Sequence, residues 1–276
     1  AVHTAILVSL LGGVLVAAIG EGLASWIMHA LQVPDEVYPY ALLYLRIYLL
    51  GLPVILLYNF EAAIFRSAGE TREPLIALAL SGVLNVILNL FFVIVLRRTV
   101  DGVAIATVIS NAVSAAMLFV RLQKHTGDLR VSLRELCIDG GSLRQIIRIG
   151  LPAGVQSAVF ALSNIVIQAA VNSLGTVAMA ASSASVNIES FTFNSLAAFG
   201  QACTTFVGQN FGAHQLERCK KSLYISLAEG VLVLGLAIVL VVSTGRYQLA
   251  VFNNDPAVVK LGYIRLRLVV VGHICT

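Results

Sequence analysis

Long apolar stretches alternate with short polar ones along the whole 276-residue chain. Eight apolar runs cover roughly 3–31, 37–64, 74–96, 101–123, 147–173, 177–209, 216–244 and 257–276. They break at VPDE, SAGETREP, RRTVDG, KHTGDLRVSLRELCIDGGSLRQ, FGAHQLERCKK and FNNDP, and more weakly at SLGT between the fifth and sixth. A bilayer's hydrocarbon core is about 30 Å thick and takes about 20 apolar residues per helix. Lipid offers no partner to unpaired backbone groups, so each run is predicted to be a helix. An outer-membrane barrel would show alternating strands of about ten residues, and this chain shows no such alternation. The predicted fold class is an all-α integral membrane protein with about eight transmembrane helices.

Composition agrees with that reading. The chain is 58% hydrophobic and 12% charged, with a mean hydropathy of +0.91; soluble domains carry about 25% charged residues. The first run lacks a basic leading segment and is too long for a signal peptide. The chain starts without Met and is still apolar near Thr276, so the expectation is a segment of a longer protein. Lys and Arg alternate between the two ends of the spans. One side has Arg66 and Arg72, six basic residues over 121–148, and Arg218, Lys220 and Lys221; the other has only Arg97, Arg98 and Arg246. The positive-inside rule makes the richer side, with the linker 124–146, cytoplasmic. Basic inside loops account for the net charge of +4, so no nucleic-acid partner is expected. Cys137, Cys203, Cys219 and Cys275 show no metal or CxxC spacing and are expected to be free thiols.

The chain also contains a repeat. SLLGGVLV (9–16) and SLAEGVLV (226–233) agree at six of eight positions, and Tyr44-Leu45-Arg46-Ile47 parallels Tyr263-Ile264-Arg265-Leu266. The basic linker then divides an N-terminal lobe, 1–123, from a C-terminal lobe, 147–276. In the full protein this predicts two lobes of six helices related by a parallel pseudo-two-fold, with two spans missing at each end of this chain. Two bundles around a cavity is a transporter plan.

Polar residues recur inside the spans. Run six carries Ser183, Asn187, Ser190, Asn194, Gln201, Thr205 and Gln209, one stripe at about 100° per residue. Run five carries Gln156, Asn164, Gln168 and Asn172 at multiples of four. Together these are read as a substrate-cavity wall, the alternative being inter-helix hydrogen bonds. Asn85 and Asn89 on run three are read as inter-helix bonds. Glu189 lies near mid-membrane, where an acid costs about 2.5–3.5 kcal/mol; two readings stand, a cation-coupling site and a structural role through a pair with an Arg or a backbone hydrogen bond. Glu61 is read as a local ion pair with Arg66. Glu21 and Glu229 have no partner legible in the sequence. Arg46 and Arg265, as repeat mates, are read as structural.

Several motifs resemble one family. YLRIYLLGLPVILLYNFEAAIFRSAGETREPL (44–75) resembles the fourth-to-fifth-helix segment of multidrug and toxic compound extrusion (MATE) transporters, whose turn takes the form Gly-Asp/Glu-Thr-Arg-x-Pro. NVILNLFFVIVL (85–96) and GVAIATVIS (102–110) are similar to the next two helices, IRIGLPAGVQ (147–156) to the opening of helix seven, and VGQNFGA (207–213) to the turn ending helix eight. The resemblance covers the chain in order and lies nearest the DinF-like bacterial branch. It implies export of drugs or organic cations in exchange for protons or sodium, in a bacterial inner membrane, with no other cofactor. Departures limit the transfer: the family's His-Gln in helix eight corresponds to Ser182-Ser183, and a helix-seven acid used for sodium in some members corresponds to Phe160. No Walker loop, paired acids or HExxH point to ATP use or an enzyme. The nearest rival is a lipid-linked oligosaccharide flippase on the same plan. That cargo calls for a strongly cationic cavity, whereas these stripes are neutral.

Overall fold

The computed structural model describes residues 1–273 apart from 32, 34 and 128; Pro34 of the VPDE break, Cys275 and the end of the eighth run lie outside them. The described residues form eight α-helices and no strand: α1 (Val2–Ala30), α2 (Tyr38–Ser67), α3 (Arg72–Leu90), α4 (Val100–Lys124), α5 (Gly140–Ser173), α6 (Thr176–Gly212), α7 (Leu216–Phe252) and α8 (Pro256–Gly272). A π-helical turn, Phe91–Val95, continues α3, and a 3-10 turn lies at Leu133–Glu135. Six helices are long and apolar enough to cross a membrane: α1, α2, α3 with its π turn, α4, α5 and α7. The chain is a multi-pass membrane protein. Of the eight expected spans, α6 falls outside this set because its polar stripe dilutes its hydropathy. The described part of α8 is only 17 residues long.

The chain forms two compact units, Ala1–Leu151 and Pro152–Thr276. In the first, α2 packs against α1 and α4, and α3 against α4. Small residues permit this closeness, as in many membrane bundles. A Cβ on Gly13 would lie 2.4 Å from the Pro53 Cα, so α1 and α2 meet backbone to backbone. The core gathers at one end of the bundle, where Ile6, Phe65, Ala77, Leu118 and Leu122 surround Val131 of the linker.

The charged turn after α2 is built by backbone chemistry. The Gly69 N–H donates to Arg66 O and the Glu70 N–H to Phe65 O, with Gly69 at φ 86°. That pair of bonds is a Schellman motif, in which a left-handed residue closes the helix. Two contacts then fasten the turn to the end of α4: a hydrogen bond between His125 Nε2 and Glu70 Oε1 at 3.0 Å, and an ion pair of Arg121 Nε with Glu73 Oε2 at 3.3 Å.

The stretch read as a linker lies on the first unit. Thr4 Oγ1 accepts from the Asp139 N–H at 3.0 Å and donates to Cys137 O at 3.4 Å; the Ser132 N–H donates to His3 Nε2 at 3.2 Å. Asp139 starts α5 by accepting the Ser142 N–H at 2.7 Å. Hydrogen bonding with Ser142 holds the Asp139 carboxyl below the usual carboxylate range.

In the second unit α6 packs against α7 and α8, and α7 against α8. Ala184, Val241, Leu249, Leu266 and Val270 form its core. Ser185 Oγ donates to Ala181 O at 2.7 Å and to Gly262 O at 3.0 Å, joining α6 to α8. α6 ends in a second Schellman motif, with His214 at φ 57° where glycine is usual.

Candidate functional site

Helix α6 is divided lengthwise. Ala181, Ser182, Ala184, Ser185 and Thr192 are buried, mostly small side chains that let α7 and α8 approach. Ser183, Asn187, Ser190, Asn194 and Gln201 are exposed, and Thr205 and Gln209 are half-buried. Ser190 Oγ donates back to Val186 O at 2.7 Å, so its hydroxyl is satisfied within α6. Among the described residues the side chains of Asn187, Asn194 and Gln201 point away from the buried face of α6 that packs on α7 and α8.

Helix α5 has no buried residue. Gln156, Asn164, Gln168 and Asn172 are all exposed, and Gln168 Nε2 donates to Asn172 Oδ1 at 2.8 Å. Among the described residues α5 does not pack on α6, so this structure does not bring the two stripes together.

Glu189 occupies a different face of α6. Its Oε2 accepts from Arg265 Nη1 on α8 at 3.2 Å, and its Oε1 lies 3.6 Å from His273 Nε2. The Glu189 and Arg265 side chains are 20% and 30% exposed, so their charges are only partly screened. The repeat mate Arg46 also meets an acid: its Nε lies 3.6 Å from Glu21 Oε2 on α1. Each arginine thus faces a carboxylate on a neighbouring helix, although the acids occupy unrelated positions in the repeat. Glu229 is exposed on α7.

In the first unit Asn85 belongs to a polar seam between α3 and α4, whereas Asn89, also expected to bond across helices, bonds among the described residues one turn back along α3. Asn85 Nδ2 reaches Ser110 Oγ at 3.2 Å and Thr107 Oγ1 at 3.4 Å. Asn89 Nδ2 donates to Asn85 Oδ1 at 3.0 Å, and Ser81 Oγ donates to Ser110 O at 2.8 Å. Ser81, Thr107 and Ser110 escaped the sequence reading because small hydroxyls are common in such helices, and only the pairing of α3 with α4 gives them a role.

Glu61 corrects an expectation. No ion pair joins it to Arg66 among the described residues; its side chain is fully buried and neither carboxylate oxygen has a hydrogen-bond partner there. The reason is helical phase, since residues five apart point about 140° from each other.

An apolar cavity of about 380 Å³ opens between α6 and α7, lined by Ile188, Phe191, Thr192, Leu240, Gln248 and Phe252 among others. None of the amide-stripe residues lines it. Cys137, Cys203 and Cys219 are free thiols.

Comparison with known proteins bears on this arrangement. The MatE family profile matches residues 1–91 and 152–275, well over half of the chain. The Bacillus subtilis (strain 168) probable multidrug resistance protein YoeA is 26% identical over 98% of this chain and 59% of its own length. The multidrug export protein MepA of Staphylococcus saprophyticus is 23% identical over 88% of this chain and 53% of its own. The chain thus spans little more than half the length of these relatives. A crystal structure of the Vibrio cholerae MATE transporter VcmN superposes with a TM-score of 0.87 at 21% identity, covering 96% of this chain and 60% of that one. The helices, their order and the sequence profile agree, and the chain belongs to the MatE family, the multidrug and toxic compound extrusion transporters.

Proposed function

We propose that the protein is a secondary-active exporter of small organic molecules, organic cations and drugs among them, working in the bacterial plasma membrane. In the whole protein two six-helix lobes, related by the repeat, rock about a central chamber, and α6 and α8 cross the membrane as well, giving eight spans in this chain. The linker 124–146 faces the cytoplasm. Supporting relatives include proteins named for multidrug resistance and multidrug export. The observation that carries the reading is the division of α6, whose small residues pack while its amides stay exposed. Exposed amides on a membrane helix need a wet surface, and a chamber lined by α5 and α6 supplies one. Neutral amides and hydroxyls suit cargo of varied shape.

A proton or sodium gradient drives export, and Glu189 is the coupling candidate. A cation arriving there competes with Arg265 and His273 for the same carboxylate, so cation binding loosens the tie between α6 and α8. One charge crossing 100 mV supplies about 2.3 kcal/mol, enough for a roughly fifty-fold concentration gradient.

The test uses the protein expressed from its complete reading frame and reconstituted in proteoliposomes. Ethidium efflux is followed under imposed proton and sodium gradients, with Glu189→Gln alongside. Gradient-driven efflux that drops at least tenfold in the variant supports both statements. Efflux that persists in the variant removes Glu189 from coupling, and no efflux under either gradient overturns the exporter reading.

A further inference from the structure

An open cleft of about 290 Å³ lies between the end of α4 and the 3-10 turn, lined by Gln123, Arg130, Val131, Ser132, Leu133 and Arg134. Its floor is fixed: Val131 is buried and its N–H donates to Leu122 O at 3.1 Å. Its rim is held because the Ser132 N–H is bonded to His3 on α1. The guanidinium groups of Arg130 and Arg134, both exposed, have no hydrogen bond or ion pair among the described residues, unlike Arg121, which is paired with Glu73. Leu133, beside Arg134, is 61% exposed.

Two unpaired guanidinium groups around one cleft suit an anion with several oxygens, since their planar donor forks match phosphate geometry. We propose that this cleft binds the phosphate-bearing headgroup of an anionic membrane lipid. Three observations favour a lipid over a free phosphate. Arg130 follows the end of the membrane-spanning α4 by only six residues. Exposed Leu133 offers an apolar contact that acyl or glycerol carbons can use and inorganic phosphate cannot. Six Lys and Arg residues lie between 121 and 148, within the range at which segments next to a membrane helix attract anionic lipids, each charge contributing about fivefold in affinity. A lipid seated here clamps the linker to the α4 end of the first unit, whatever cargo the protein carries.

The detergent-solubilised chain is titrated with short-chain phosphatidylglycerol, short-chain phosphatidylcholine and inorganic phosphate, with binding read by thermophoresis. Phosphatidylglycerol binds at least tenfold tighter than the other two. The pair Arg130→Gln and Arg134→Gln weakens it roughly 25-fold, while Arg218→Gln with Lys221→Gln in the basic first turns of α7 changes it less than twofold. Equal affinity for phosphatidylglycerol and inorganic phosphate overturns the lipid assignment, and an unchanged affinity in the arginine pair overturns the site. Should that pair fail to fold, Leu133→Asp with both arginines kept decides: weaker phosphatidylglycerol binding at an unchanged melting temperature supports the site, and unchanged binding overturns it.

Discussion

Gly69 and His214 occupy the same position in the two Schellman turns, yet only one suits its backbone. Gly69 adopts φ 86° without strain, whereas His214 at φ 57° carries a Cβ, and the left-handed region costs an L residue about 1–2 kcal/mol. His214→Gly is therefore expected to stabilise the fold in detergent and Gly69→Ala to destabilise it, by about 1 kcal/mol each, read as a higher and a lower melting temperature; shifts of the opposite sign contradict the assigned turns. Glu61 makes a second case. A buried polar group without a partner costs about 1–3 kcal/mol, and apolar replacements of similar volume recover part of that. Glu61→Met should melt higher than the parent, and a lower melting point would show that the carboxyl has a stabilising role. Charges were the least legible part of the sequence at this scale. Glu61 and Arg66 are close along the chain but diverge in helical phase, whereas Glu21 meets Arg46 across two helices. A partner across helices depends on their crossing, which a sequence read one helix at a time does not give.

Helix ends were legible only where a turn signal coincided with the end of an apolar run. α4 spans Val100–Lys124 against an expected 101–123, but α5 begins at Gly140 rather than 147 and α7 continues to Phe252 beyond 244. Hydropathy marks the lipid-immersed part of a helix. Backbone bonding carries the helix on through polar residues until a cap intervenes, as Asp139 does at the start of α5. The π turn at Phe91–Val95 left no trace in the apolar pattern. Between elements, the α3–α4 seam allows a measurement. Hydrogen bonds between membrane helices contribute about 0.6 kcal/mol on average and up to about 1.7. A double-mutant cycle of Asn85→Ala with Ser110→Ala, read from unfolding in detergent, should give a coupling of about that average. A coupling of zero would mean that the 3.2 Å bond contributes nothing.

At the scale of the whole molecule, helicity, the membrane class and the family were readable because apolar run length and the Gly-Glu-Thr-Arg-Glu-Pro turn each carry strong physical or family information. The stripes proposed to line the chamber differ in what the sequence told of their surroundings. Periodicity gathers the amides of α6 onto one face, and the structure leaves that face exposed, but the neighbour of α5 is absent from its described contacts. The central claim is that these amides line water. It is tested most directly by thiol labelling of the complete protein in membranes. In a background where the native cysteines are replaced by serine, Asn187→Cys, Asn194→Cys and Gln168→Cys are reacted with a charged, membrane-impermeant maleimide. Val231→Cys and Leu236→Cys, on exposed apolar positions of α7 at 70% and 63%, serve as lipid-facing references. The account predicts labelling at the three amide positions at least tenfold faster than at the references, slowed by excess ethidium. Equal rates at amide and reference positions would contradict it.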